Sequence, residues 1–80
     1  MADTVGYVLI QTAPGRALEA ATALAQIPGI KAAHPVTGVY DIICQVEAAS
    51  LDDLAGTVVE RIQSVDGVER TETALVVRSA

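Results

Sequence analysis

The segment PVTGVYD, residues 35–41, places a carboxylate where a strand is expected to enter a protein core. Gly38 is typical of a tight hairpin, in which one residue often takes a positive φ. Asp41 follows as the second residue of the stretch YDIICQVEA, which has the composition of a central strand. A carboxylate there is disfavoured unless it is paired or lies at a rim. Asp41 is therefore expected to lie at a rim or to be paired, for example with a neighbouring arginine at the edge of a subunit interface.

The chain has one histidine, His34, and one cysteine, Cys44, as candidates for other chemistry. His34 precedes Pro35, which cannot donate to a β-ladder, so an exposed imidazole on an edge strand is the ordinary explanation. Cys44 stands alone and is predicted to lie in the core. Neither a metal-ligand cluster nor a nucleophile–base arrangement accompanies them. We therefore expect no enzyme activity, no metal site and no cofactor.

Composition excludes other classes of function. The net charge is −5, and the basic residues stand singly among ten acids, whereas DNA binding needs a cluster of lysines and arginines. These basic residues are Arg16, Lys31, Arg61, Arg70 and Arg78. No apolar run reaches the ~20 residues of a membrane span. The N-terminal segment MADTVGYVLIQT lacks the features of a signal peptide. The sequence thus predicts a cytoplasmic protein that binds neither DNA nor membranes by itself.

Two segments have the apolar periodicity of amphipathic helices. Ser50 is the predicted N-cap of the second helix, and Asp66-Gly67 supplies its stop. Its apolar stripe is predicted to comprise Leu51, Leu54, Ala55, Val58, Val59 and Ile62. The first helix is predicted to have Pro14 in its first turn and to end at Pro28-Gly29. Its apolar face is predicted to comprise Ala17, Leu18, Ala21, Leu24 and Ala25.

Strands are predicted over residues 4–12, 29–36, 40–48 and 67–77, which gives the order βαββαβ. Right-handed crossovers then produce a single domain over residues 1–80 with a ferredoxin-like fold. Its four-stranded antiparallel sheet has the order 4-1-3-2, with both helices on one face of the sheet. Nothing in the chain remains to cover the other face.

The uncovered face predicts self-association. Hydrophobic residues make up 51% of the chain, which is rich for a small domain whose own core is marginal. Ile42, Cys44 and Val46 suit the helix side of the third strand, and the alternate residues Asp41, Ile43, Gln45 and Glu47 suit the other side. Both faces of the first strand are apolar. We therefore expect a dimer that packs sheet on sheet in a barrel-like arrangement, with a larger ring as a further step.

Several motifs resemble the effector-binding domain of the Lrp/AsnC family of transcriptional regulators, also called the RAM domain. They are Pro14-Gly15 after the first strand, Pro28-Gly29-Ile30, the run VTGVYDIICQVEAASLDDL and the ending VDGVERTETALVV. The TG-x-YD turn and the T-x-T strand together form the specific part of the resemblance. Because the family's regulators have an N-terminal helix-turn-helix domain, the resemblance implies a stand-alone form without direct DNA recognition.

The resemblance further implies that a free amino acid, or a similar small metabolite, binds in clefts between dimers of an octameric or decameric ring. The implied site comprises Thr37, Gly38, Val39, Tyr40, Asp41, Thr71 and Thr73. Asp41 would bind the ammonium group, while peptide groups near Gly38 and the two threonine hydroxyls of the last strand would donate to the carboxylate. Tyr40 and Val39 would wall the side-chain pocket. The alternative is that Thr71 and Thr73 bind no ligand and occur there because threonine favours β-strands.

Two rival functions stay open at this stage. Small dimeric ferredoxin-like proteins include monooxygenases and isomerases, whose chemistry would need a general acid or base such as His34. A third interpretation is an oligomerisation module that binds no ligand and pairs with full-length Lrp/AsnC regulators or with an enzyme. Ligand binding and assembly can also coexist, since a ligand held at a shared interface stabilises the assembly by linkage.

Overall fold

The computed structural model describes residues 4–77, and its elements follow the predicted βαββαβ order. They are β1 (Thr4–Thr12), α1 (Ala17–Leu24), β2 (Ile30–Pro35), β3 (Ile42–Ala48), α2 (Leu51–Gly56) and β4 (Val68–Leu75). Between α2 and β4 the helix continues with π-type bonding over Thr57–Ile62, called the π segment below. The ferredoxin-like fold is confirmed.

The four strands form one antiparallel sheet in the order β2-β3-β1-β4, which is the predicted order read from the other edge. In the central pair, Leu9 lies opposite Ile43 and Ile10 opposite Ile42. On the outer side of β1, Gln11 lies opposite Arg70 and Ile10 opposite Thr71. The register between β1 and β4 shifts between Gln11 and Thr12. This irregularity lies at the end of the sheet where the β2–β3 connection crosses.

The core lies between the sheet and the helices. The strands contribute five side chains with 0% exposure, Val8, Ile10, Ile42, Cys44 and Val46. The helices contribute Ala20, Ala21, Leu24, Leu54, Val58 and Ile62. The predicted helix-facing set of β3 is therefore confirmed. Burial raises the pKa of the Cys44 thiol to about 11, so this thiol stays protonated at neutral pH.

The predicted face of α1 is wrong by part of a turn. Leu18 is 74% exposed and Ala25 is exposed, whereas Ala20, which the prediction omitted, is buried. Ala17, Ala20, Ala21 and Leu24 follow the helical spacing and turn toward the sheet. Pro14 lies in a turn before the helix, and Gly15 takes a φ of 78° there. The face of α1 that packs on the sheet is thus made mostly of alanine, and the larger Leu18 lies outside it.

The predicted stripe of α2 splits into two rows. Leu54, Val58 and Ile62 are buried, whereas Leu51 and Val59 are each 56% exposed. In the π segment each backbone hydrogen bond joins residues five apart, so this part of the helix has more residues per turn than an α-helix. Side chains four positions apart therefore stay on nearly the same side of the helix. Leu51 and Val59 form a second apolar row beside the buried one.

Ser50 caps α2 as predicted, since its Oγ accepts the backbone N–H of Asp53 at 3.1 Å. Ser50→Ala is expected to lower the free energy of unfolding by about 1 kcal/mol, because one N–H at the helix start loses its acceptor. Urea unfolding followed by circular dichroism measures the change. Ser50→Asn keeps an acceptor at the cap and should retain most of the wild-type stability. Equal losses in the two variants would contradict the capping role.

The sheet face away from the helices, called the open face below, is uncovered in the single chain. Val5, Tyr7 and Leu9 of β1 lie on it, opposite Glu47, Gln45 and Ile43 of β3. Tyr7 is 43% exposed there, whereas the neighbouring Val8 on the helix side is fully buried. Within residues 4–77, no helix combines the length and apolarity needed to cross a membrane.

Candidate functional site

The connection between β2 and β3 is closed by two backbone hydrogen bonds at Asp41. The N–H of Val36 donates to the carbonyl oxygen of Asp41 at 2.9 Å, and the N–H of Asp41 donates to that of Ile10 at 2.8 Å. Gly38 takes a φ of 113°, as predicted for the turn. The predicted start of the strand is wrong by two residues, because β3 begins at Ile42. Asp41 and Tyr40 therefore belong to the connection.

The Asp41 carboxylate bonds to the protein's own backbone. Its Oδ2 accepts the N–H of Thr12 at 2.8 Å, and Asp41 is half-buried. Thr12 lies where the β1–β4 register shifts, so the carboxylate supplies an acceptor beside an interrupted ladder. Among the ion pairs of residues 4–77, none joins Asp41 to an arginine. Asp41 thus fixes the β2–β3 connection to the end of β1.

Tyr40 joins the same connection to β4. Its hydroxyl donates to Oε2 of Glu72 at 2.8 Å, and Nε2 of Gln11 donates to the carbonyl oxygen of Val39 at 3.1 Å. The hydrogen bond to Glu72 raises the pKa of Tyr40, burial adds to this, and the Arg70 cation opposes it. The first bond ties the connection to β4, and the second ties it to β1. The loop is therefore held over the sheet beside the first half of β4.

Two cavities flank this half of β4. The first has a volume of about 250 Å³ and is lined by Gln11, Tyr40, Arg70, Thr71 and Glu72. We call it the Tyr40 cavity. The second has a volume of about 420 Å³ and is lined by Gln63, Val68, Glu69, Arg70 and Thr71. Beside it, Nε2 of Gln63 donates to Oγ1 of Thr71 at 3.1 Å. Arg70 and Thr71 line both cavities, so this stretch of β4 forms the centre of the candidate site.

The structure brings together some of the predicted site residues and separates others. Tyr40 and Thr71 line one cavity, and Gly38 and Thr37 lie exposed in the connection above. Val39 is 77% exposed. Thr73 lines a different, apolar cavity of about 210 Å³ between α2 and β4, together with Leu51, Leu54, Ala55, Val58, Val59 and Leu75. Within one chain, Thr73 therefore does not share a cavity with Tyr40.

Three polar residues of the Tyr40 cavity were not predicted from the sequence: Gln11, Arg70 and Glu72. Alternation along the T-x-T strand places Arg70 and Glu72 on the face opposite to Thr71 and Thr73. This alternation was a signal in the sequence. The pairing of Arg70 with Gln11 was not, because it depends on the register between strands far apart in the chain.

The described residues offer no site for a metal ion. No three His, Cys, Asp or Glu side chains of residues 4–77 come together in a suitable group. His34 is exposed on the edge strand β2. The side chains that line the Tyr40 cavity offer hydrogen-bonding and charged groups.

Comparison with known proteins gives a consistent picture. The chain matches the family model described as the Lrp/AsnC ligand binding domain over residues 5–80. An HTH-type transcriptional regulator of Pyrococcus furiosus is 36% identical over 73 residues, which cover 88% of this chain and 49% of the regulator. The chain thus spans about half the length of this curated relative. A shorter match of 55 residues, 40% identical, covers 69% of this chain and 12% of a homocitrate synthase from Sulfurisphaera tokodaii.

Solved structures agree with the fold. A protein of Thermus thermophilus is 34% identical with a TM-score of 0.90, and the match covers 96% of each chain. A transcriptional regulator of Neisseria meningitidis, solved as a complex with L-Met, is 17% identical with a TM-score of 0.83. That match covers 95% of this chain and 51% of the regulator. At this identity the second likeness shows the shared fold alone.

Proposed function

The chain belongs to the Lrp/AsnC ligand-binding domain family, and from this premise we propose that it is an effector-binding regulatory domain for a free amino acid or a similar small metabolite. The observation that supports this most directly is the Tyr40 cavity, in which the β2–β3 connection meets the T-x-T strand. A protein of the same fold has been solved with L-Met, so the fold accommodates an amino acid.

The lining suits a zwitterion. An α-amino acid presents an ammonium group and a carboxylate, and the cavity offers a cationic group on Arg70, a carboxylate on Glu72 and a hydroxyl group on Tyr40. Tyr40 and Val39 wall the side-chain end. Asp41, Gly38 and Thr37 hold the connection over the cavity. Because Thr71 and Thr73 both face the helix side, their hydroxyls reach ligand as groups of a neighbouring protomer.

Self-association belongs to the same proposal. The apolar part of the open face pairs with a second copy, sheet on sheet, and dimers assemble further into an octameric or decameric ring. A ligand bound where subunits meet then couples effector concentration to assembly. Its dissociation constant is expected between roughly 10 µM and 1 mM, the range of cellular amino-acid levels.

The partner through which the signal passes is either a full-length Lrp/AsnC regulator or a metabolic enzyme. The curated relative from Pyrococcus is named as an HTH-type transcriptional regulator, which favours the first. The similarity to part of a homocitrate synthase favours the second. Either partner leaves catalysis outside this domain.

A thermal-shift screen of the twenty standard amino acids tests the proposal. At least one should raise the melting temperature, and Thr71→Val should weaken its binding roughly fivefold, because one neutral hydrogen bond to ligand contributes about 1 kcal/mol. Calorimetric titration gives the two dissociation constants. Thr22→Val, on the exposed side of α1, is the matched control and should bind like wild type. If none of the twenty amino acids binds, the proposed function is wrong.

A further inference from the structure

We infer that Arg70 and Glu72 bind the head group of the ligand, with Arg70 on the α-carboxylate and Glu72 on the α-ammonium. This inference rests on the proposed function and adds to it the residues that recognise the head group. It also changes the ammonium partner, since the sequence had pointed to Asp41. With this assignment, the expected ligand is a free α-amino acid that carries both charges. The site should bind it more tightly than the corresponding amines, amides or N-acylated forms.

The placement of the two side chains on β4 is the first support. Alternate residues of a strand point to the same face and lie ~7 Å apart. Arg70 faces Gln11 and Glu72 faces Leu9 across the β1–β4 ladder, so both lie on the open face. Both also line the Tyr40 cavity. Their long side chains can converge on the adjacent charges of one zwitterion.

The hydrogen bonds already present distinguish Glu72 from Asp41. Oδ2 of Asp41 is bonded to the backbone of Thr12 in a half-buried position, and this bond ties down the connection. Glu72 is exposed, and its Oε2 accepts only the Tyr40 hydroxyl among the described side-chain hydrogen bonds. A phenol carries no positive charge, and the ion pairs of residues 4–77 give Glu72 no cationic partner, so an incoming ammonium group can pair with its carboxylate. The Tyr40 hydroxyl also orients the carboxylate along the cavity wall.

Arg70 is the cation of this cavity. Among the ion pairs of residues 4–77, Arg16 bonds to Glu19 and Asp66, and none involves Arg70. Its planar guanidinium can donate two parallel hydrogen bonds to a carboxylate. In a chain with net charge −5, a lone carboxylate ligand would be repelled by the general field. A local arginine overcomes that repulsion, and a neighbouring glutamate makes the site select a zwitterion.

Titration of charge-matched ligands tests the assignment. The probes are whichever standard amino acid binds wild type, its α-carboxamide and its N-acetyl derivative. Arg70→Gln should weaken the amino acid roughly 10- to 100-fold, as expected for a lost charged hydrogen bond, and leave the carboxamide unchanged. Glu72→Gln should weaken the amino acid by a similar factor and leave the N-acetyl derivative unchanged. Arg61→Gln and Glu60→Gln, on the exposed side of the π segment, are controls that should bind like wild type.

Three results would overturn the assignment while leaving the proposed function intact. One is wild-type affinity in both cavity variants. Another is an equal loss for the amino acid and both derivatives, which would indicate general damage to the site. The third is a change in oligomeric state with an unchanged affinity for the amino acid. That result would indicate that Arg70 and Glu72 pair with each other between subunits. Failure of wild type to bind any amino acid would reject the proposed function instead.

Discussion

Ile42→Ala is expected to lower the free energy of unfolding by about 2–5 kcal/mol, because it empties space in a fully buried part of the core. Ile42 begins β3, lies opposite Ile10 of β1 and packs on the helix side of the sheet. An 80-residue domain has a total stability of only about 4–12 kcal/mol at the usual value per residue. The loss is therefore a large share of the whole. Urea unfolding of both proteins measures it.

Ile43→Ala is the matched control, since the neighbouring residue has the same side chain on the opposite face of the same strand. Ile43 is half-buried in the single chain. Its substitution should cost well under half as much at low protein concentration, and the cost should grow with concentration if the open face is paired in a dimer. Equal losses for the two variants under dilute conditions would show that the two faces are not packed as described.

Leu9→Lys is expected to separate the proposed dimer into monomers. Leu9 lies at the centre of the open face, opposite Ile43. In a sheet-on-sheet dimer a lysine at this position would bury an unpaired charge, which costs several kcal/mol. The dissociation constant of the dimer should therefore rise at least roughly 100-fold. Sedimentation velocity over a range of concentrations measures the change, and amino-acid binding should weaken with it.

Leu18→Lys provides the control for the added charge. Leu18 is the more exposed of the two leucines and lies on the helix layer, away from the open face. This variant should keep the wild-type oligomeric state and the wild-type affinity. A wild-type chain that sediments as a monomer at every concentration would remove the basis of the proposed interface.

The order of elements could be predicted because each signal is local. Ser50 as a cap, Gly38 as a turn residue and the alternation of Ile42 and Cys44 depend on neighbours within a few positions. The sheet order then followed from handedness and from the apolar character of the central strands. These features required no knowledge of which distant residues touch.

The parts that were missed depend on distant contacts. The role of Asp41 toward a ligand stays a prediction, but its hydrogen bond to Thr12, beside the register shift between β1 and β4, was not predicted. The Tyr40–Glu72 bond likewise joins the β2–β3 connection to β4, two segments far apart in the chain. Leu18 was assigned to the apolar face by its spacing, although α1 turns Ala20, Ala21 and Leu24 toward the sheet instead. Long-range register and helix distance cannot be obtained from periodicity.

The underwound turn after α2 has a consequence for how the chain tolerates changes in length. Loss of one residue at position 59, whose side chain points outward, would bring Ile62 one place nearer to Val58. The inward positions would then follow steps of four and three, the repeat of an ordinary α-helix. The deletion removes the one residue by which the π segment exceeds an α-helical segment, so the flanking α2 and β4 keep their positions. A one-residue gap is therefore absorbed most easily here, whereas the same gap in β1 would turn every later side chain of that strand to the wrong face.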